Sequence, residues 1–229
     1  MICTSYNIRG LAGANRRRAL RHYLAGSETQ VILLQETMVC AADAIKYFLM
    51  VRPNWRVTAI DADGLSGGIL TAWNLAFGDF DAFVTVAGLL LDGFVRGFGE
   101  KISILNVYGP YRDRQTFWTE VDESRLLARP NLILGGDLNL TLRPAEIWGG
   151  TSLEDTLSSF FKELFIRYNL IDIPLLKAGP TWTNGRRGAE NVSKRLDRFL
   201  VAEGLIDRFG RYRSWIDQVL ASDHKPVTL

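Results

Sequence analysis

The stretch NLILGGDLNL, residues 131–140, decides the fold that the sequence predicts. Its first half is uniformly apolar, which is typical of a short strand buried on both faces of a sheet. It then ends in two glycines, followed by Asp137 and Asn139. A tight turn would explain these residues, since glycine allows a positive φ and Asp or Asn satisfies turn amides. The alternative, which we favour, is a carboxylate and an amide placed for chemistry at the end of a buried strand.

Other apolar runs of strand length recur along the chain, and several are too uniformly apolar to be half-exposed strands. They predict strands at residues 2–8, 31–35, 55–60, 67–73, 102–108 and 131–134. Strand-like patterns follow late in the chain at residues 181–184, 194–201 and 215–221.

Helical spacing is clearest in residues 156–170, TLSSFFKELFIRYNL. One apolar stripe at helical spacing comprises Leu157, Phe160, Phe161, Leu164, Phe165 and Tyr168. Asp155 is the expected cap of this helix. Further helices are predicted around Leu20, Tyr23 and Leu24, near residues 113–128 and, as a short element, near residues 203–209.

The organisation of these elements predicts one α/β domain spanning residues 1–229. No linker rich in Pro, Gly or Ser divides the 229 residues. Strands and helices alternate early and hairpin-like pairs follow, which predicts a mixed architecture with more than one sheet.

The composition argues against several classes of protein. The formal net charge is only +2, which argues against coating nucleic acid by bulk charge. Cys3 and Cys40 fit neither a disulfide framework nor a spaced zinc site, which favours a reducing compartment. The longest apolar run, residues 83–94, contains Asp92 and is too short to span a membrane, so secretion and membrane association are not expected. Despite the small net charge, the sequence contains local basic patches at residues 16–21 and at Arg186, Arg187, Lys194, Arg195 and Arg198.

Side chains capable of chemistry follow the predicted strands, at the points where ligands bind in α/β sheets. They are Asn7, Glu36, Tyr108, Asp137, Asn139, Ser222, Asp223 and His224. Each has an ordinary explanation when taken alone: a loop or cap residue, a core tyrosine with its hydroxyl at the rim, or a polar turn. The set, rather than any member, indicates a functional site, and His22 is interpreted as a solvated surface residue.

Seven short motifs occur in order along the chain: NIRGL (7–11), LLQET (33–37), NVYGP (106–110), GGDLN (135–139), TWTN (181–184), RLDRFL (195–200) and SDH (222–224). Together they resemble the endonuclease/exonuclease/phosphatase superfamily, which includes deoxyribonuclease I and the apurinic/apyrimidinic endonucleases. The resemblance covers nearly the whole chain. It implies a deoxyribonuclease I-like fold, a four-layered α/β sandwich of two packed mixed β-sheets flanked by helices.

Within that superfamily the chain is most similar to the endonuclease domain of LINE-type (non-LTR) retrotransposon polyproteins. The segments SGGILTAWN (66–74) and LIDIPL (170–175) add to this likeness. Phosphoinositide phosphatases of the same fold carry a Cys before the aspartate of the late strand, whereas Leu196 precedes Asp197 here, which favours the nuclease branch. No reverse transcriptase motifs follow, so the chain is interpreted as an excised domain, a fragment or a domesticated copy. Residues 184–195 form a longer stretch than these elements usually have.

The resemblance implies a role for each residue. Asp137 would orient and deprotonate the attacking water, and Asn139 would fix the same water or the phosphate. Other members of the fold have been assigned His as the base, so the sequence leaves open both the identity of the base and the choice between one and two metal ions. His224, held by Asp197, would donate to a non-bridging phosphate oxygen, and Tyr108 would also bond the phosphate. The expected cation is Mg²⁺, with Mn²⁺ as an alternative, held by Glu36, Asn7 and Asp223. The expected DNA contacts are Arg186, Arg187, Lys194, Thr181, Ser222 and Arg112, with Arg114 as a secondary candidate.

The expected function is a Mg²⁺-dependent DNA endonuclease that nicks one strand and leaves a 3′ hydroxyl, as in target-primed retrotransposition. The alternatives are an abasic-site repair endonuclease and a catalytically inert nucleic-acid-binding remnant. The expected partners are double-stranded DNA and a reverse transcriptase domain in the parent polyprotein. The expected location is intracellular, nuclear at the point of action.

Overall fold

The structure, a computed structural model, describes residues 1–64, 66–150, 154–218 and 221–229. In chain order its strands are β1 (Cys3–Asn7), β2 (Val31–Gln35), β3 (Trp55–Asp63), β4 (Ser66–Asn74), β5 (Gly78–Thr85), β6 (Gly88–Val95), β7 (Lys101–Tyr108), β8 (Leu132–Asp137), β9 (Ile147–Trp148), β10 (Leu170–Asp172), β11 (Trp182–Thr183), β12 (Ser193–Lys194), β13 (Asp197–Ala202), β14 (Trp215–Ile216) and β15 (Val227–Thr228). The α-helices are α1 (Ala14–Gly26), α2 (Ala41–Leu49), α3 (Arg114–Glu123), α4 (Ser158–Arg167) and α5 (Glu203–Phe209). Single 3₁₀ turns lie at Leu126–Ala128, Pro144–Glu146 and Gly188–Glu190.

The strands form two large mixed sheets and one small sheet. The first large sheet has the order β14-β15-β1-β2-β4-β3, with β1 and β2 parallel. The second has the order β10-β13-β8-β7-β6-β5, with β7 and β8 parallel. The short strands β11, β12 and β9 form a separate three-stranded sheet. In each large sheet the parallel pair lies at the centre, so both central pairs present their carboxyl ends at one edge.

Three apolar cores separate four layers. One core joins the two large sheets through side chains such as Leu33, Ile104, Ile133 and Phe199. A second packs α1 and α2 against the first sheet. A third packs α3 and α4 against the second sheet, around the fully buried Trp118. Each buried Leu, Ile or Phe contributes about 1.5–3 kcal/mol of transfer free energy, which is enough in sum to drive this layering. The expected deoxyribonuclease I-like sandwich of two mixed sheets flanked by helices is confirmed.

The two glycines before Asp137 lie inside β8 and not in a turn. A Cβ on Gly135 would lie 2.3 Å from the Phe199 ring, and one on Gly136 would lie 1.9 Å from the carbonyl oxygen of Val107. The close packing of β8 against its neighbours therefore requires glycine at both positions. The turn interpretation is wrong, because the strand continues to Asp137.

The predicted helix at residues 156–170 is shorter than its pattern suggests. It begins at Ser158 and ends at Arg167. The carboxylate of Asp155 accepts the backbone N–H of Leu157, one residue ahead of the helix, and pairs with Arg114 at 2.6 Å. Asp155 therefore ties the start of α4 to the start of α3 instead of capping the first helical turn itself.

Two expected strands differ from the structure, and two elements of the structure were not expected. Residues 194–201 do not form one strand, because the chain leaves the small sheet after Lys194 and enters the second large sheet at Asp197. The helix α2 and the hairpin of β5 and β6 are not predicted by the patterns above. Of the predicted strand at 215–221, the structure shows Trp215–Ile216, and positions 219–220 lie outside the described residues.

Candidate active site

Five chain segments bring their polar side chains to the edge where the central strands end. Asn7, Glu36, Tyr108 and Asp137 lie at or just after the ends of β1, β2, β7 and β8, and His224 comes from the segment before β15. Most of these residues line one cavity of about 620 Å³, together with Asn139, Trp182, Lys194 and Leu196. These residues come from distant parts of the sequence and lie together at this edge.

Strand register sets the spacing of the central groups. Tyr108 pairs with Asp137 across the parallel strands β7 and β8. Asp137 pairs in turn with Asp197 across the antiparallel strands β8 and β13. The three side chains therefore lie abreast on neighbouring strands, at the spacing that a β-ladder imposes.

His224 lies between two buried carboxylates. Its Nδ1 is 2.9 Å from Oδ2 of Asp197, and its Nε2 is 3.6 Å from Oδ2 of Asp137. Burial opposes a charge on the ring, but Asp197 and Asp137 outweigh it and raise the pKa of His224 to about 9. The raised pKa favours the protonated ring, whose Nε2–H is a hydrogen-bond donor.

Asp137 is the carboxylate in this cavity best suited to accept a proton. It is 1% exposed, and burial with the neighbouring Asp197 raises its pKa to about 6, against the lowering effects of His224 and Asn7. Its Oδ2 accepts the side-chain N–H of Asn7 at 2.9 Å, and its Oδ1 accepts the backbone N–H of Asn139 at 3.1 Å. A carboxylate with a pKa close to neutral is both ionised and basic at working pH.

Glu36 is buried and held on several sides. Its Oε1 accepts hydrogen bonds from the amide of Asn7 at 2.9 Å and from the hydroxyl of Tyr108 at 2.8 Å. Burial and the bond to Glu36 raise the pKa of the Tyr108 phenol, so Tyr108 remains a neutral donor.

Asn7 joins two carboxylates instead of presenting its oxygen to a cation. Its Nδ2 bonds both Glu36 and Asp137, while its Oδ1 accepts the backbone N–H of Arg9. In this orientation it is a donor between the carboxylates, and the expected role as a metal ligand would require the amide to turn over. Asn139 similarly uses its Nδ2 on the carbonyl of Gly109 at 2.7 Å, which leaves its oxygen for a water in the cavity.

Two of the expected DNA contacts have structural roles. Thr181 is fully buried, and its hydroxyl accepts the backbone N–H groups of Leu196 and Asp197 at 2.9 and 3.0 Å. The prediction that Thr181 contacts DNA is therefore wrong, because the residue is buried and fixes the start of β13. The hydroxyl of Ser222 donates to the carbonyl of Asn7 at 2.9 Å and accepts the N–H of His224, so it holds the His224 segment against β1.

The second basic patch divides into an inner and an outer part. Arg195 and Arg198 are buried and pair with Glu146 and Asp172 at 2.8–3.0 Å, so they do not form a basic surface. Arg186 and Arg187 are exposed, Lys194 lines the cavity, and Arg112 is exposed after β7. Contact of these outer residues with DNA stays a prediction, whereas Arg114 is paired with Asp155.

Arg9 and Trp182 are site residues to which the sequence patterns gave no role in the chemistry. Arg9 bonds both oxygens of Asp223 at 3.0 and 3.1 Å and lies 3.3 Å from Glu36. The indole of Trp182 donates to Asp223 at 3.0 Å. Burial opposes ionisation of Asp223, but His224 and Arg9 hold its pKa below the ordinary value. The signal for Arg9 was its place two residues after Asn7 at a strand end.

Two groups of side chains have donors for a divalent cation. Ligand atoms of Asp137, Asp197 and His224 lie within 4.8 Å of one another. In this group Nδ1 of His224 already bonds Asp197, and Nε2 faces Asp137. Glu36 and Asp223 are carboxylates that already share one positive group, Arg9. Their hard oxygen donors fit a Mg²⁺-like ion, which takes one or two carboxylates and retains water.

The fold and this constellation define a class of hydrolase, and comparison by sequence agrees. A sequence model of the Endonuclease/Exonuclease/phosphatase family matches residues 4–224. The chain belongs to that family, whose members hydrolyse phosphodiesters or phosphate esters. Among curated proteins, none matches the chain in sequence.

Solved structures of similar fold belong to proteins that catalyse different reactions. An AP endonuclease from Leishmania major is 19% identical with a TM-score of 0.76, covering 99% of this chain and 86% of that one. The endonuclease domain of TRAS1, a telomere-specific non-LTR retrotransposon, is 17% identical with a TM-score of 0.72, covering 99% and 96%. A 3′ phosphatase from Neisseria, bound to a product DNA hairpin, is 17% identical with a TM-score of 0.77, covering 100% and 98%. At these identities the likeness establishes the fold alone.

Within the described part of the chain, no helix has the length and apolar character needed to cross a membrane.

Proposed function

We propose that this chain is a Mg²⁺-dependent DNA endonuclease that hydrolyses one phosphodiester of a duplex and leaves a 3′ hydroxyl. The observation that carries the proposal is the contact between Asp137 and His224. A buried carboxylate with a pKa of about 6 lies 3.6 Å from an imidazole with a pKa of about 9. At neutral pH one group accepts a proton while the other carries a positive charge.

Asp137 positions and deprotonates the attacking water. Its fixed partners, Asn7 and the N–H of Asn139, set the direction of its free lone pairs. The side-chain oxygen of Asn139 lies in the same cavity and accepts the second hydrogen of that water. The neutral amide contributes direction and the carboxylate contributes basicity.

His224 stabilises the negative charge that develops on the phosphoryl oxygens. Asp197 holds Nδ1, which leaves Nε2–H to face the cavity. A charged donor held by a buried carboxylate is already oriented, so little reorganisation accompanies the reaction. Tyr108 and Lys194 add donors at the rim of the same cavity.

Glu36 and Asp223 hold the divalent cation, Mg²⁺ or alternatively Mn²⁺. When bound, the cation supplies positive charge for the phosphoryl oxygens and for the departing 3′ oxygen. Glu36 is suited to this role because its position is fixed by Asn7 and Tyr108.

Double-stranded DNA is the proposed substrate. The hairpin of β11 and β12 carries exposed Arg186 and Arg187 in its loop, and Lys194 lines the cavity. Exposed basic side chains of this kind bind phosphates or enter a groove. In an intact retroelement, a reverse transcriptase domain in the same polyprotein would extend the 3′ hydroxyl. The site of action would then be the nucleus.

A specific observation favours abasic-site cleavage as the second candidate. Part of the cavity wall consists of the apolar side chains of Ile147, Trp182 and Leu196, with Lys194 between the first two. Such a wall can accept a sugar that lacks its base, and a duplex already unpaired at one position opens at lower cost. The third candidate, an inert nucleic-acid-binding remnant, is opposed by the complete set of reactive side chains.

Plasmid nicking tests the proposal. Supercoiled plasmid is incubated with wild type, Asp137→Ala and His224→Ala, in Mg²⁺ or in EDTA. His22→Ala is the matched control, since His22 is exposed on α1. We expect nicking in Mg²⁺ by wild type and control only, with ends that a DNA polymerase extends.

A duplex with a tetrahydrofuran abasic analogue, beside the same duplex intact, separates the candidates. Strong preference for the analogue would replace the proposal by abasic-site cleavage. Binding without cleavage by folded wild type would replace it by the inert remnant.

A further inference from the structure

Arg9 lies where the proposed site would hold its cation. Its Nε and Nη2 bond Oδ1 and Oδ2 of Asp223 at 3.0 and 3.1 Å, and its Nη1 lies 3.3 Å from Oε2 of Glu36. One guanidinium therefore pairs with two carboxylates that come from distant parts of the chain. Planar bidentate pairing of this kind is the preferred geometry of Arg with a carboxylate.

The contact with Glu36 uses the oxygen that a cation would need. Oε1 of Glu36 already accepts bonds from Asn7 and Tyr108. Oε2 is the remaining oxygen, and it is the one that Arg9 approaches. A divalent cation and Arg9 therefore compete for the same lone pairs.

Arg9 can leave this position without disturbing the core. Its side chain is 38% exposed and lines the cavity. Partly exposed ion pairs are weak, so a divalent cation with two carboxylates would outcompete the guanidinium. The displaced group would remain at the cavity rim, beside the place where a phosphate must lie.

We propose that Arg9 is an exchangeable counter-ion. In the metal-free protein it occupies the cation position between Glu36 and Asp223, and when the cation binds it turns to a phosphate oxygen of the substrate. The inference rests on the proposed cation site and adds a residue that both opposes metal binding and binds substrate. No bond is made or broken in the exchange.

Calorimetric titration with Mg²⁺ tests the first half. The chains are wild type, Arg9→Met, which keeps the length of the side chain, and Arg18→Met, which removes the same charge from an exposed position on α1. We expect Arg9→Met to bind Mg²⁺ roughly tenfold more tightly than the other two. We also expect it to unfold at a lower temperature in EDTA, with the difference removed by saturating Mg²⁺.

The outcomes separate the inference from the proposed function. If no folded chain binds Mg²⁺, the proposed cation site is wrong and the inference falls with it. If wild type binds Mg²⁺ and Arg9→Met binds equally or more weakly, the inference alone is wrong. A loss of thermal stability that is equal with and without Mg²⁺ would also overturn it, because Arg9 would then be a permanent structural partner.

Binding of a short duplex tests the second half. Anisotropy is measured against salt concentration in an Asp137→Asn background, which prevents cleavage. In Mg²⁺, Arg9→Met should weaken binding and lower the slope of log affinity against log salt by about one, whereas in EDTA it should change neither. An equal loss in both conditions, or no loss in Mg²⁺, would contradict the transfer of Arg9 to a phosphate.

Discussion

Gln35 and Asn106 are joined by a 2.7 Å hydrogen bond, from Nε2 of Gln35 to Oδ1 of Asn106, across the interface of the two large sheets. Both side chains are fully buried among apolar residues. Asn106 also donates to the carbonyl of Leu70 and the hydroxyl of Thr71 on the opposite sheet. Gln35 immediately precedes Glu36, and Asn106 lies two residues before Tyr108. The bond between these amides therefore fixes the distance across which Tyr108 reaches Glu36.

Replacement of either amide should affect both stability and the site. We expect Asn106→Leu and Gln35→Leu each to lower the free energy of unfolding by about 1–3 kcal/mol, since the remaining partner is left buried without its bond. The double variant should lose less than the sum of the two single losses. Denaturant unfolding measures this coupling.

The same variants should also weaken Mg²⁺ binding. Thr71→Val is the control, because it removes a different partner of Asn106 and leaves the bond to Gln35 in place. Unchanged Mg²⁺ affinity in folded Gln35→Leu would show that Glu36 is positioned without this contact.

The rate of cleavage should depend on pH through two groups. Asp137 must be ionised and His224 protonated, so kcat/KM should rise through about pH 6 and fall through about pH 9. Asp197→Asn should move the alkaline limb to lower pH, because Asp197 is the carboxylate that contributes most to the raised pKa of His224. Initial rates of plasmid nicking from about pH 5 to about pH 10 test this. An alkaline limb that Asp197→Asn leaves in place would assign it to another group.

Asp137 should lower the stability of the protein at neutral pH. Its pKa is raised by folding from 3.8 to about 6, so the ionised form is disfavoured in the folded state. Stability is therefore lost as pH rises through about 6. We expect Asp137→Asn to abolish cleavage and to raise the free energy of unfolding by about 3 kcal/mol near neutral pH.

That gain should disappear below the unfolded pKa of 3.8, where the carboxyl is protonated in both states. Unfolding by denaturant at neutral and at acidic pH measures both values. Lower stability of Asp137→Asn at neutral pH would mean that the pair with His224 outweighs the cost of burial.

The hairpin loop should govern where the enzyme cuts more than how fast it cuts. We expect replacement of Arg186 and Arg187 by Ser to change the distribution of nicks on plasmid DNA. It should also lower the slope of log affinity against log salt concentration by about two, because about two phosphate contacts are lost. Arg16→Ser with Arg18→Ser, in the other basic patch, is the matched control. Primer-extension mapping of nick positions gives the result. An equal loss on every substrate with unchanged nick positions would refute a role in site preference.

The central strands and the reactive set could be predicted because their signals are local. Largely apolar runs mark β2, β7 and β8, and a site residue either ends the strand, as Tyr108 and Asp137 do, or follows it directly, as Glu36 follows β2. The seven motifs, taken in order along the chain, then predicted the fold. The position of Asp197 was also predictable, since RLDRFL carries it into a buried strand.

Features decided by tertiary contact were not predictable. The sequence predicts that Thr181 contacts DNA. In the structure its hydroxyl accepts two backbone N–H groups where the chain passes from β12 to β13. The sequence predicts that Arg195 and Arg198 belong to a basic patch. In the structure they pair with Glu146 and Asp172, which lie more than twenty positions earlier. Arg9 could be assigned only once Asp223, far along the chain, was known to lie beside it.

The abreast arrangement of Tyr108, Asp137 and Asp197 also bears on how such a protein diversifies. Backbone register alone holds these three groups in line, whereas the arginines of the β11–β12 hairpin lie on a loop outside the large sheets. Loop length and sequence can therefore change without shifting the reacting groups. The chain is accordingly a scaffold on which new target preferences can be selected by exchanging one hairpin, with its hydrolytic chemistry inherited unchanged.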